Sequence, residues 1–414
     1  MKVVGLITEY NPFHNGHYHH IKEARKLTGA DYCIVVMSGN YVQRGAPALM
    51  DKYSRTKMAL SCGADLVLEL PVCFASASAE YFSMGAVSIL EGIGVVDSLC
   101  FGSECGNIQT LKEASEILLA EPPLFKKVLN DALKTGKTFP QARMEALKVY
   151  LKGADDDLFS SPNNILGMEY IKALTSQNSS IEPITIPRIS SGYHKDTLNQ
   201  GNGTIISSAT AIRGAVRNGS MLTDLINHVP KEIFHILSAS YKKTWPIFEE
   251  DFSLLLQYKL MNETKSSLSR YLDVTPDLAN RIKSLMEPGL SFAEAAKLMK
   301  SKQWTLTRIN RSLLHILLNI TEDSMNHYKV NGYSQYARIL GIKKNSSPLL
   351  RTVAKKSRLP LITKVGGMEH KLPKSAESML KEEFFSTALY NEVVYHKFGV
   401  MPKDEYKQGI ILQD

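Results

Sequence analysis

A chain of 414 residues, 44% hydrophobic and 22% charged, carries enough apolar side chains for two or three packed domains, which excludes the disordered and fibrous classes. No basic stretch leads into an apolar one at its start, and no uninterrupted apolar run reaches the roughly 18 residues of a membrane span, so a cytoplasmic protein without export or membrane insertion is expected. The formal net charge of +8 admits an acidic partner, nucleic acid among them.

Residues 2–8, "KVVGLIT", form a short apolar β-rich run and predict a buried strand. "NGHYHHIKEARKLTG" follows as a helix closed by basic residues and Gly29. Residues 31–39 predict a second strand, 51–63 a helix ending at Gly63, and 64–71 a third strand stopped by Pro71. Residues 78–94 predict a helix and 96–104 a fourth strand. Alternation of this kind predicts a doubly wound parallel α/β sheet with ligands at the strand C-terminal ends. From about 107 to 178 the pattern turns helical, and "EPITIPRIS" (182–190) returns to a strand. A Gly/Asn-rich loop then enters a helix near Ser207 or Ser208. The expected division is a Rossmann-like domain over 1–230, with a helical insertion at about 107–178, followed by a mostly helical, basic region over 231–414. In that region, 336–342 and 360–365 read as strands flanking a basic helix.

The charge is unevenly placed. Residues 1–250 hold 24 Lys/Arg against 25 Asp/Glu, whereas 251–414 hold 25 against 16. Residues 300–364 carry 13 basic side chains, opposed only by Glu322 and Asp323, and are interleaved with Trp304, Tyr328, Tyr333 and Tyr336. A solvated basic surface would look similar, but the concentration fits a phosphate-tracking surface with rings for stacking on bases. The five cysteines, Cys33, Cys62, Cys73, Cys100 and Cys105, include no CxxC pair and fit buried free thiols in a reducing cytoplasm.

Residues 9–20, "EYNPFHNGHYHH", hold four histidines within seven residues. They could be solvated loop residues. A metal site would need ligands at helical spacing plus a further carboxylate or thiolate, and no HExxH string is present, so no metal is expected. The third reading rests on place: the cluster follows the first strand and opens the first helix, where free N–H groups make an anion site. Gly16 allows close approach to the backbone, and His14 and His17 could stabilise charge at a phosphate under attack. His19 and His20 read as helix-surface residues.

His14-Asn15-Gly16-His17 resembles the HxGH signature of the nucleotidyltransferase superfamily. "ISSATAIR" (206–213) resembles its later ISSTxIR element, with Ala209 interrupting the usual run. There Ser207, Ser208 and Thr210 supply hydroxyls at a helix start, and Arg213 supplies a fork for phosphate oxygens; a plain serine N-cap is the competing reading. With "GLITEYNPFHNGH", "VVMSGNYVQRGAPALMDKYSRTKMAL", "ADLVLELP", "CFGSE", "SPNNILGMEYIKAL" and "PRISSGYH", the chain resembles the tRNA-Met cytidine acetate ligase family over most of 1–215, and more loosely beyond.

That resemblance implies activation of acetate by ATP to acetyl-adenylate and pyrophosphate. Acetyl transfer to the exocyclic amine of the wobble cytidine of elongator tRNA-Met follows, giving N4-acetylcytidine. It implies ATP contacts at Ile7, Thr8, Glu9, Tyr10, Asn11, Pro12, Phe13, His14, Asn15, Gly16, His17, Tyr18, His19 and His20. Gly102, Asn163 (with Asn164 beside it) and Arg188 would be separate contacts, and Ser208 and Arg213 join them as candidates. His14 and His17 are the expected catalytic pair, and magnesium the usual companion of the phosphates. Ser38, Asn40 and Gln43 are candidates for an acetate or cytosine pocket. Arg44, Lys52, Arg55, Arg308, Arg311, Lys343, Lys344, Lys355 and Lys356 are candidates for tRNA phosphates, a solvated helix face being the equal alternative for Arg44, Lys52 and Arg55; loss of Arg55 from an RNA contact would weaken tRNA binding and spare adenylate formation. A metabolite adenylyltransferase and a non-catalytic RNA-binding protein are the alternatives. The basic surplus speaks against the first and the intact HxGH against the second. Acetyl transfer from acetyl-CoA lacks a matching pyrophosphate-loop string.

Overall fold

Strand β1 (Val3–Thr8) is buried along its whole length, and its side chains alternate between two cores. Val3 and Ile7 join one core; Val4 and Leu6 join the other. The computed structural model describes residues 1–151, 156–188, 197–199, 203–368 and 371–414. The remaining strands are β2 (Tyr32–Ser38), a small hairpin of β3 (Tyr41–Val42) and β4 (Ala46–Pro47), β5 (Leu66–Leu70), β6 (Ser98–Ser103), β7 (Glu182–Pro187), β8 (Ala337–Lys343), β9 (Leu361–Ile362) and β10 (Ile411–Gln413).

The main sheet runs β10–β8–β5–β2–β1–β6–β7, with β9 beside β8. From β1 the chain moves outward through β2 and β5, then crosses to β6 and β7 on the other side. The switch point therefore opens between the C-terminal ends of β1 and β6, where open α/β sheets hold ligands. Helices cover both faces, so each strand reads as a continuous apolar run rather than an alternating one. Ala79–Gly92 covers one face with Phe82, Ala86 and Ile89. Asn15–Thr28 and Lys52–Ser61 cover the other with Ile21, Ala24, Met58 and Leu60.

The helical insertion packs onto the sheet, with Pro162–Ser176 placing Met168, Tyr170, Ile171 and Leu174 in its core. The boundary expected near 230 is crossed by the sheet. Residues Ala337–Lys343 return as β8 and pair antiparallel with β5, Glu69 opposite Arg338 and Leu66 opposite Ile342, so the sheet is mixed. An apolar run shows that a strand exists but not which edge it will cover. Of 360–365 only Leu361–Ile362 is strand. Among the described residues no helix is long and apolar enough to cross a membrane.

Candidate nucleotide-binding site

After β1 the backbone turns sharply. Tyr10 takes a φ of 48°, and its buried ring packs 4.7 Å from that of Phe13, anchoring the turn in the core. Asn11 fixes the turn from both ends of the chain: its Oδ1 accepts from the Leu49 amide at 2.7 Å, and its carbonyl accepts from Arg213 Nη1 at 2.7 Å. The turn delivers His14 as N-cap of the helix Asn15–Thr28.

The two signature histidines form the capping box that Ser and Glu usually supply. His14 Nδ1 accepts from the Gly16 amide at 3.1 Å, and His17 Nδ1 accepts from the His14 amide at 3.3 Å. Their rings stack at 3.7 Å. Because each ring accepts through Nδ1, its proton sits on Nε2, which leaves two N–H donors side by side. Burial, with Arg188 and Arg213 nearby, lowers the His14 pKa to about 3; burial, His14 and Arg188 hold His17 well below the ordinary imidazole range. Both are therefore neutral donors at pH 7. Gly16 makes the stack possible, since a Cβ there would lie 2.9 Å from His14 Cε1. His20, read as a surface residue, is drawn inward: its Nε2 is buried without a hydrogen-bond partner, and burial and Arg188 lower its pKa to about 4.

Asn15 joins the two motifs that lie far apart in sequence. Its Nδ2 donates to the carbonyls of Ile205 and Asn227, each at 2.8 Å. Ser207 is buried, 2.9 Å from His228 Nδ1, and Ser208 is the N-cap of Ala209–Arg217, accepting from the Ala211 amide. Both hydroxyls thus have structural duties, the serine N-cap being the competing reading above. Arg213 donates to Thr210 Oγ1 at 3.2 Å besides holding Asn11. On the far wall, Glu104 organises the remaining predicted contacts. Its carboxylate accepts from Asn163 Nδ2 and the Asn164 amide, and lies 3.8 Å from Arg188 Nε. Asn164 is buried and shapes the loop by accepting from the Glu104 and Cys105 amides, while Asn163 is half-buried. The stem of Arg188 lies across Gly102, whose Cβ would be 3.3 Å from Arg188 Cγ. Glu104 stands within the string "CFGSE", but a lone carboxylate beside a phosphate site carries no signal of its own in a sequence.

The model of the HIGH nucleotidyl transferase family matches residues 1–404. The tRNA(Met) cytidine acetate ligase of Acetivibrio thermocellus is 40% identical over 420 residues, covering 100% of each chain. That of Alkaliphilus metalliredigens is 40% identical over 403 residues, 94% of each. The chain belongs to this ligase family. The crystal structure of Thermotoga maritima TmcAL superposes with a TM-score of 0.92 at 31% identity, covering 100% of both chains. The same protein bound with alpha-thio ATP superposes at 0.89.

Among the residues that follow β2, several expectations for this relative of the tRNA(Met) cytidine acetate ligases are corrected. Arg55 is wholly buried. It donates to the carbonyls of Met50 (3.0 Å), Glu9 (2.6 Å), Ser38 (3.0 Å) and Gly39, so it braces the ends of β1 and β2 and cannot reach RNA. Lys52 is wholly buried too, its Nζ 2.6 Å from Glu69, 3.1 Å from Glu405 and 3.3 Å from Glu383. Ser38 is closed off, its Oγ buried without a partner. Asn40 lines a cavity of ≈ 300 Å³ with Asp51, Tyr53, Ser54, Thr387 and Glu405. Gln43 donates its amide to Glu9 Oε1 at 2.9 Å and carries the exposed Arg44 beside the turn.

The basic candidates of the C-terminal half divide between opposite ends of the sheet. Gly45 of the hairpin lies against the backbone of Asn310 and Arg311, which brings Arg308 and Arg311 to the ligand end; Arg311 is paired with Asp273 at 3.0 Å. Lys343 and Lys344 follow β8, whose antiparallel course ends beside Asp65, at the other end of the sheet. Lys344 pairs with Asp414 there, and Lys356, next to Lys355, lies against Gly94, which leads into β6. Of the four rings expected to stack on bases, Trp304, Tyr328 and Tyr336 are buried in the core, and Tyr333 is half-buried.

Proposed function

We propose that this protein activates acetate with ATP and acetylates the exocyclic amine of the wobble cytidine of elongator tRNA-Met. The observation that carries this reading is the pair of neutral Nε2–H donors on His14 and His17, beside Arg213 and Arg188 at the switch point. An acetate oxygen attacks the α-phosphorus of ATP, the bond to the β-phosphate oxygen breaks, and pyrophosphate leaves. Negative charge grows on the phosphoryl oxygens and the leaving group, where preorganised neutral donors and a guanidinium stabilise it without reorganisation. Gly102, Asn163 and Arg188 take the adenosine side. In the second step the cytidine N4 attacks the acetyl carbonyl, AMP leaves, and the N4 proton is released. The half-open cavity at Asn40 has the size for a pyrimidine ring, and Asn40 and Gln43 take the acceptor side. Arg44 and Arg308 are the cations proposed for RNA phosphates.

Among the described residues no group of three or more His, Cys, Asp or Glu side chains could cage a metal ion. Magnesium would therefore enter on the phosphates of ATP, which it neutralises, and its protein contacts would be few.

The test is exchange of labelled pyrophosphate into ATP, with and without acetate, followed by acetyl transfer to tRNA-Met. Exchange that requires acetate is expected. No exchange with or without acetate would point to a metabolite adenylyltransferase, whose own acceptor is missing from the assay, or to a binding role alone.

A further inference from the structure

Five charged side chains from distant parts of the chain meet in one buried cluster: Lys52, Glu69 of β5, Arg338 of β8, Glu383 of the helix Lys374–Phe398, and Glu405 of the tail. Each is at most 4% exposed. Three carboxylates surround the Lys52 ammonium, while Arg338 Nη1 lies 3.1 Å from Glu69 and Nη2 binds Glu405. Thr387 Oγ1 accepts from Lys52 Nζ at 3.1 Å, Tyr53 OH donates to Glu405, and the Val72 amide donates to Glu383 at 2.8 Å. Two cations against three carboxylates would leave a buried negative charge. Burial and the neighbouring Glu69 push the Glu383 carboxyl well above the ordinary carboxylate range, which makes it the acid of the three that most readily holds a proton and so balances the cluster.

The cluster touches the loop after β2 and the cavity beside it at three points. The Lys52 amide donates to Asn40 Oδ1 at 2.9 Å. Gly39 is pressed against the two acids: a Cβ there would lie 2.8 Å from Glu69 Oε1 and 3.0 Å from Glu383 Oε1. Glu405 and Thr387 line the ≈ 300 Å³ cavity together with Asn40. We infer that Glu383 and Glu405 are positioning residues for acetyl transfer, holding Lys52, and through it Asn40, at the wall of the cavity that receives the acceptor base. This inference rests on the ligase reading, and it gives a C-terminal helix and tail a part in a site built mainly by the first 220 residues.

The arrangement makes a non-additive prediction. Glu383→Gln leaves Glu69 and Glu405 to hold both cations. Glu405→Gln leaves Glu69 and Glu383, and the Glu383 proton can depart to restore the balance. The double variant leaves two buried cations with one carboxylate, an uncompensated charge that drives Lys52 out. Each single variant is expected to slow acetyl transfer to tRNA less than about fivefold and the double variant at least about 100-fold, well beyond the product of the singles. Acetate-dependent pyrophosphate exchange, which uses the β1–β6 side, should fall less than about tenfold. Asn40→Ala, which leaves the cluster intact, should shift the ratio of the two half-reactions the same way. Equal losses in both half-reactions accompanied by a lower melting temperature, or an Asn40→Ala variant with normal transfer, would overturn the inference. Failure of the wild-type chain to exchange would instead remove the ligase reading itself.

Discussion

His14 and His17 are held by their Nδ1 atoms, and that fixes both what they donate and how they titrate. With folded pKa values far below the ordinary 6.5, the rings resist protonation while the unfolded chain does not. The unfolded state then binds more protons between pH 6.5 and the folded values, so stability contributed by these rings is complete above 6.5 and is lost as pH falls toward about 3. Urea midpoints measured from pH 7 to pH 4 should fall, and His14→Asn should flatten the slope. An unchanged slope would mean that the ring is not buried as described. Gly16→Ala separates stability from chemistry at the same spot. Alanine favours the helix by about 0.5–1 kcal/mol over glycine, yet its Cβ would lie 2.9 Å from the His14 ring. Melting temperature should hold or rise while pyrophosphate exchange falls at least about tenfold. The sequence showed the HxGH string and its place after β1; it could not show that the imidazoles would serve as each other's cap, because that depends on the turn set by Tyr10 and Asn11.

At the scale of elements, the strand–helix alternation of 2–104 was legible because buried parallel strands are short apolar runs punctuated by Gly and Pro. What those runs lack is any mark of their neighbours. Arg55 illustrates the consequence. On the helix Lys52–Ser61 it reads as a basic surface residue, but its guanidinium lies under the ends of β1 and β2 and joins four backbone carbonyls. The planar fork of arginine can span two loops in a way an ammonium cannot. Arg55→Lys should therefore behave nearly as badly as Arg55→Met. Both should lower stability by at least about 3 kcal/mol through unsatisfied buried carbonyls, and both should reduce exchange as well as transfer. If Arg55→Lys kept full exchange, charge alone would suffice and the brace would be the wrong description. Loss of tRNA affinity with intact exchange would restore the RNA-binding expectation.

Across the whole molecule, the basic surplus of the C-terminal half does not form one surface. The composition of 300–364 could reveal the excess but not its partition, since partition follows from β8 running antiparallel to β5 and carrying Lys343 to the end opposite the crevice. Arg44 and Arg308 stay at the ligand end, one exposed at the hairpin and the other on the helix Leu306–Leu318 packed against it. A tRNA whose anticodon base must reach the crevice passes that end first, so phosphates near the base should lie against these two arginines. Arg44→Ala should weaken tRNA binding about fivefold to tenfold and reduce the slope of log affinity against log salt by about one, as expected for one lost phosphate contact. Lys343→Ala with Lys344→Ala should change affinity for an isolated anticodon stem-loop by less than about twofold, because Lys344 is engaged with Asp414 and both sit at the remote end. Filter binding of the stem-loop and of whole tRNA at several salt concentrations decides the matter. If the lysine pair weakened the stem-loop as much as Arg44→Ala, the anticodon arm would have to run along the opposite end of the sheet, and the crevice between β1 and β6 could not be where its cytidine is modified.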